Sequence, residues 1–154
     1  MNVALAHLGP RFYSIHGRLG DEMYKWDGKD SGDIFVRSRH FESWDKSLKL
    51  YLASDDPNNA FFIPLRKHIS VVTSLDLTGP DVDEYRNLFP TEQVRNDMFG
   101  VLDKLICSMG IMFLGSGFST FSMEIRMIRA QANFVFPEWF ELRHNLSMSP
   151  AEVP

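Results

Sequence analysis

The sequence predicts an α/β protein, a three-layer Rossmann-like domain built on a mainly parallel sheet. Short runs of β-prone residues alternate with segments whose apolar positions recur at helical spacing, which is the rhythm of βαβ units. Two of the strand-like runs lead into glycine-containing turns bearing arginine or hydroxyl side chains, and open parallel sheets bind ligands at such strand ends. Of 154 residues, 44% are hydrophobic and 13 are phenylalanine, which suffices for the core of one domain but not of two.

Phe12-Tyr-Ser-Ile15 is the first strand. From Lys25 to Arg39 the chain is polar, glycine-bearing and alternating in charge, which reads as a surface loop. A short helix is expected from Phe41 to Leu48, a strand from Lys49 to Ser54, a helix from Asn59 to His68 and a strand from Ile69 to Leu75. Thr78 to Pro90 reads as a loop. Thr91 then caps a longer helix to about Ser108, whose Val94, Met98, Val101 and Leu105 share the side expected to pack on the sheet. Ile111 to Gly115 is the last clear strand and Ser119 to about Ala132 the last clear helix. In that helix Phe121, Ile125 and Ile128 repeat at helical spacing, leaving Arg126 and Arg129 on another face. Asn133 to Phe140 is aromatic and interrupted by Pro137, and reads as terminal packing or as a contact with another domain or subunit. One domain is expected over residues 1–144, with residues 145–154 as a mobile tail.

Two of these junctions carry chemistry. Phe113-Leu-Gly-Ser-Gly-Phe-Ser-Thr-Phe-Ser122 reads as strand, turn and helix start. Gly115 and Gly117 let the backbone turn tightly and approach a ligand, and Ser119, Thr120 and Ser122 offer hydroxyls beside the unpaired amides of a helix N-terminus. An anion is the expected guest; the plainer alternative is a helix capped by Ser or Thr. His16-Gly-Arg-Leu-Gly-Asp21 leaves the first strand in the same manner. Arg18 can present a planar fork of donors to phosphate oxygens, Gly17 and Gly20 permit close approach, and Asp21 either holds the arginine or caps the next element. Asp55, at the end of another strand, either lines the same cleft or caps the helix after it.

These motifs resemble those of the protein O-fucosyltransferases. His16-Gly-Arg-Leu-Gly-Asp21 is similar to the family's His-x-Arg-x-Gly-Asp, and Phe113 to Ser122 is similar to its Phe-Ile-Gly-Thr-x-x-Ser-Thr-Phe-Ser. Leu50-Tyr-Leu-Ala-Ser-Asp55 resembles the family's strand ending in Ala-Thr-Asp, Val71-Val-Thr-Ser-Leu75 resembles its next strand, and Asp103 falls where the family has an Asp ahead of the Phe-Ile-Gly strand. The resemblance covers roughly residues 10 to 130. It corresponds to the C-terminal, donor-binding half of the two-domain glycosyltransferase B fold.

The resemblance implies GDP-fucose as donor substrate and inverting transfer of fucose to a protein or glycan hydroxyl, with no metal or other cofactor required. Arg18 would be the catalytic residue, contacting the diphosphate and stabilising charge on the departing GDP. Ser119, Thr120 and Phe121 would bind phosphate through hydroxyl and backbone donors, and His16 and Asp103 would shape the nucleotide pocket, Asp103 accepting from the donor edge of guanine. Gly17, Asp21, Gly115 and Ser122 at the same two motifs, and Asp55 at the end of another strand, are further candidates. Leu19 replaces an arginine common in the family, Gly17 a usual aliphatic residue, and Ser116-Gly-Phe118 a frequent Thr-Arg-Pro. The family's acceptor-binding N-terminal half has no counterpart here, so catalysis is expected to need a partner that supplies it. The alternative is a noncatalytic domain that binds a nucleotide sugar or a protein.

Composition narrows the classes further. A formal charge of −4 without a block of Lys or Arg excludes the electrostatic footprint of a nucleic-acid binder. No run of apolar residues approaches the length of a membrane span. The family resemblance implies the lumen of the endoplasmic reticulum or Golgi, whereas the first ten residues lack the basic start and length of a secretory signal. Cys107 is the only cysteine and sits among apolar neighbours, as a structural thiol does. The five histidines show no helix-spaced pair, and Asp81 and Asp83 follow Gly79-Pro80 in a turn-rich stretch, as solvated loop residues do.

Overall fold

The computed structural model describes residues 6–19, 31–78, 91–116 and 119–131. Its centre is a four-stranded sheet in the order β3-β2-β1-β4, formed by Phe12–Gly17 (β1), Lys49–Ser54 (β2), Ser70–Val72 (β3) and Met112–Gly115 (β4). Every pairing is parallel. Phe12 stands opposite Lys49, Gly17 opposite Ser54, and His16 also opposite Gly115. The α/β, Rossmann-like, three-layer expectation therefore holds.

Side chains of a strand alternate between faces, and here both faces are covered. Tyr13, Ile15, Leu50, Leu52 and Leu114 meet Phe35, Phe41, Trp44, Phe61, Phe62 and Leu65 on one face. These partners come from helices Ser31–Val36 (α1), Arg39–Glu42 (α2) and Phe62–His68 (α3) and their connections. Phe12, Tyr51, Ala53, Val72 and Phe113 meet Leu77, Ile106, Cys107 and Ile125 on the other. Those belong to Ser74–Thr78 (α4), Glu92–Met109 (α5) and Thr120–Gln131 (α6). All six residues of β1 are buried, the mark of a strand with neighbours on both sides. The hydroxyl of Ser14, buried among them, lies 2.9 Å from the Cys107 carbonyl and 3.1 Å from that of Met112, which satisfies it.

Local chemistry sets the helix ends. Thr91 accepts from the Val94 amide at 3.2 Å, as an N-cap does, and α5 begins there as expected. Pro64 is tolerated in the first turn of α3, where no amide partner is needed, and Arg66, Lys67 and His68 complement the negative end of its dipole.

Several expected boundaries move. The strand read as Ile69 to Leu75 stops at Val72, because the Asp76 carboxylate accepts from both the amide and the hydroxyl of Thr73, at 2.7 and 2.8 Å, and starts α4. The helix read as Phe41 to Leu48 is Arg39–Glu42, capped by Ser38; beyond it Asp45 turns the chain by accepting from the amide and hydroxyl of Ser47. The helix read from Asn59 begins at Phe62, since the Asn59 carbonyl oxygen of the side chain accepts from the Phe61 amide. The described part of the supposed loop, residues 31–39, contains α1, whose Phe35 is buried among Phe41, Trp44 and Phe61.

Two faces are also reassigned. Val94, Met98, Val101 and Leu105 are exposed; α5 turns Ile106 and Cys107 to the sheet instead, with Leu102 and Met109 beside them. Arg129, read on a face of α6 other than that of Phe121, Ile125 and Ile128, is fully buried beside Ile125 on the same helix. Its guanidinium donates to the carbonyls of Ser108 and Gly110, at 3.0 and 2.5 Å, where α5 ends. Cys107 is a buried free thiol, pushed up by burial and so inert as a nucleophile. Residues 1–5, 20–30, 79–90, 117–118 and 132–154 lie outside the described residues, and with them Gly20, Asp21, Gly117, the Asp81 and Asp83 pair, the aromatic segment and the tail. No described helix is long and apolar enough to cross a membrane.

Candidate functional site

Parallel pairing brings the C-terminal ends of β1, β2 and β4 to one edge of the sheet, so the two glycine-containing motifs, about a hundred residues apart in the chain, become neighbours. Ser116, just past β4, joins them. Its amide donates to the His16 carbonyl at 3.0 Å, and its hydroxyl both accepts from the Arg18 amide at 3.0 Å and lies 3.3 Å from the His16 carbonyl. From the other side the Ser54 hydroxyl donates to the Gly17 carbonyl at 2.7 Å, and the Leu19 amide donates to Asp55 Oδ1 at 2.8 Å. The turn after β1 is thus held by hydrogen bonds from both neighbouring strands.

Arg18 leaves this turn towards solvent, with its side chain 48% exposed. Its Nε is 3.9 Å from Asp55 Oδ2, an ion pair weak enough at that exposure to yield to a stronger anion. Gly17 is required where it stands. A Cβ there would lie 2.7 Å from the Phe62 ring, so the end of β1 can approach α3 only without a side chain.

His16 occupies the floor. Its ring stacks on Phe121 with centroids 4.4 Å apart, and its Nδ1 is 2.7 Å from the Ser122 hydroxyl. Burial drives its pKa down to about 4; Asp55 opposes that, while Arg18 and Lys104 add to it. The imidazole is therefore neutral at physiological pH, with one ring nitrogen donating and one accepting. Ser119 caps α6, its hydroxyl 3.5 Å from the Ser122 amide and its carbonyl accepting from the Met123 amide. The plainer reading of Ser119 is thus realised in the structure. Thr120 is exposed, Phe121 half-buried and Ser122 fully buried.

Gly115 completes the floor by having no side chain. A Cβ would meet Ser122 Oγ at 2.7 Å and Ser122 Cβ at 2.8 Å, with Phe113 at 3.0 Å. Gly115→Ala is therefore expected to push back the first turn of α6, break the His16 to Ser122 bond and cost about 1–3 kcal/mol. Gly100→Ala supplies the contrast, since the nearest atom to its Cβ is Phe121 Cε2 at 3.8 Å. It should be neutral or stabilising by up to ~1 kcal/mol. Urea denaturation of both variants reads the difference, and equal midpoints would refute this packing.

Asp103 belongs to a different group. Its carboxylate accepts from the Tyr51 hydroxyl at 2.5 Å and bonds the Ser74 hydroxyl, on the side of β2 and β3. Burial raises it to about 6, although both hydrogen bonds pull the other way. Burial and the adjacent carboxylate push the Tyr51 phenol far up, so it remains a donor. Lys104, the next residue, turns to α6 instead. It pairs with Glu124 and sits 4.9 Å from the Phe121 ring centroid.

The structure brings together His16, Gly17, Arg18, Asp55, Gly115, Ser119, Phe121 and Ser122, with Thr120 at the rim, and joins Asp103 to Tyr51 and Ser74. Sequence reasoning did not single out Ser116, Ser54, Tyr51 or Lys104 as site residues. A serine one position past a strand is a signal for the first; the others become visible only once the register is known. Among the described residues no group of three His, Cys, Asp or Glu gathers to hold a metal ion. The assembled edge is polar, backbone-rich and headed by one exposed guanidinium, an arrangement suited to an anion. No known family model matches the chain, and no curated protein matches its sequence.

Proposed function

We propose that this domain binds GDP-fucose at the C-terminal edge of its sheet and serves as the donor-binding half of a fucosyltransferase. The observation that carries the reading is the convergence of the two motifs: the Arg18 amide on the Ser116 hydroxyl, and the His16 ring between Ser122 and Phe121. In this reading Arg18 exchanges its weak contact with Asp55 for the diphosphate, and the exposed Thr120 and the start of α6 provide further donors. Neutral His16 orients the floor without adding charge. Asp103, held by Tyr51, would accept from guanine, and Lys104 would raise the local potential for an anion.

Transfer would proceed by displacement at the anomeric carbon. An acceptor hydroxyl attacks from the face opposite the diphosphate, its oxygen bonding the anomeric carbon while its proton passes to a base of the partner half or to water; the bond from that carbon to the phosphate oxygen breaks, and GDP departs with the electron pair beside Arg18. The acceptor, a protein or glycan, would be presented by a partner half. A second reading, a domain that binds the nucleotide sugar without transferring it, is favoured by Asp55. Its Oδ1 fixes the Leu19 amide rather than standing ready for an acceptor's proton.

Calorimetric titration with GDP-fucose, GDP and ADP tests binding. Guanine-selective affinity is expected, and Arg18→Ala should weaken it at least tenfold, equivalent to about 1.5–3 kcal/mol for one charge-assisted contact. Arg18 is exposed, so the variant should keep its fold by circular dichroism. Equal affinity for ADP and GDP would overturn the GDP-fucose assignment, and unchanged GDP affinity in folded Arg18→Ala would overturn the site.

A further inference from the structure

The longest helix carries an apolar row that nothing in the described fold covers. Val94, Met98, Val101 and Leu105 are 39, 46, 47 and 49% exposed, on the side of α5 away from Ile106 and Cys107. They succeed one another in steps of four, three and four residues, the narrow a/d seam of a coiled coil rather than the broad face of a helix packed on a sheet. We infer that α5 is a self-association surface, and that two copies of this chain pair antiparallel along this row about a twofold axis.

The spacing and the charges select this occupant. Reversing the row about its midpoint reproduces it, so Val94 meets Leu105 of the second copy and Met98 meets Val101, an isologous contact in which each layer pairs an a with a d position. Asp97 and Lys104 flank the row on one side, at the two g positions. Antiparallel pairing sets Asp97 of each copy near Lys104 of the other, giving two equivalent ion pairs. A parallel pair would set Asp97 near Leu102 and leave its charge unmatched. Lys104 already pairs with Glu124, and its ammonium has donors for a second carboxylate.

Energetics set the strength. The helix is already formed on the sheet, so association does not bear the cost of nucleating it. The row spans about two heptads, short of a standard interface of roughly 1,200 Å² or more, so the dimer is weak and concentration-dependent.

Sedimentation velocity of the purified chain over a wide concentration range is expected to show reversible monomer–dimer exchange that weakens with added salt. Met98→Glu, at an exposed site and so without effect on the fold, should leave only monomer. Cysteine variants read the orientation, because Cys107 is buried. Under oxidation an equimolar mixture of Met98→Cys and Val101→Cys chains should form the mixed cross-linked dimer, and neither variant alone should cross-link comparably. A monomer at every concentration, a dimer indifferent to Met98→Glu, or single variants that cross-link alone as well as in the mixture would each overturn the proposal.

Discussion

Arg129→Ala is expected to destabilise the protein by about 3 kcal/mol or more, through a cavity where a long buried side chain stood and two carbonyls stripped of their donor. The residue is 1% exposed, and its guanidinium donates to Ser108 and Gly110 at the point where α5 ends and the chain turns into β4. The last carbonyls of a helix lack internal partners, and here a cation on α6 supplies them, which also suits the negative end of the α5 dipole. Arg129→Met separates the causes: it keeps most of the stem volume, so what it loses reports the hydrogen bonds. Met127→Ala, at a site 59% exposed, should cost little and serves as control. Urea denaturation monitored by circular dichroism measures all three, and an Arg129→Ala midpoint equal to that of Met127→Ala would mean that Arg129 does not hold the two helices together.

On α6 that clamp lies at the opposite end from the site. Ser119 to Ser122 lie at the start of α6, while on α5 Asp103 and Lys104 lie five and four residues before Ser108. Phe121 lies between Lys104 and His16. A change at Arg129 is thus expected to alter the spacing of the site as well as stability, since one rigid element carries both.

The fold was legible in the sequence because its strongest signals are local. β-prone runs, the Thr91 cap and the switch between strand and helix periods each act over a few residues, and the structure keeps them. The misplaced features share a different cause. The row from Val94 to Leu105 reads as a core face by spacing alone, yet core facing is decided by which side of α5 meets the sheet, and Ile106 and Cys107 take that role. Arg129 is set apart from the apolar face in the sequence because arginine rarely sits inside, and only the nearby carbonyls explain its burial. At α4, the short capping pair of Thr73 and Asp76 outweighs the β-propensity of the preceding run.

The site was legible in part for the same reason. Its glycines and hydroxyls form compact motifs, and the strand order then joins the motifs. The sequence does not disclose which hydroxyl does which task. Ser119 caps, Ser122 holds His16, and Ser116 ties two backbones, although the three look interchangeable along the chain. Tyr51 was hidden within an apolar strand, and its hydroxyl becomes meaningful only opposite Asp103.

His16 and Asp103 should make acid stability depend on two opposed protonations. His16 titrates at about 4 in the folded protein against an ordinary 6.5, so its contribution to stability is present above 6.5 and is lost as pH falls through 4. Asp103 titrates at about 6 against an ordinary 3.8, so its contribution is present below 3.8 and is lost as pH rises through 6. Each is worth on the order of 3 kcal/mol at full extent. Between pH 6.5 and 4 they nearly cancel, and unfolding in that window releases or takes up little net proton from this pair. Asp103→Asn keeps an acceptor for Tyr51 but removes the carboxyl, so stability should then fall steeply on acidification, with a limiting slope of about 1.4 kcal/mol per pH unit. His16→Gln should do the reverse, gaining stability relative to the parent as pH drops from 6 towards 4. Urea midpoints for the three proteins across pH 4 to 7 test this, and parallel curves would show that neither group carries a shifted proton.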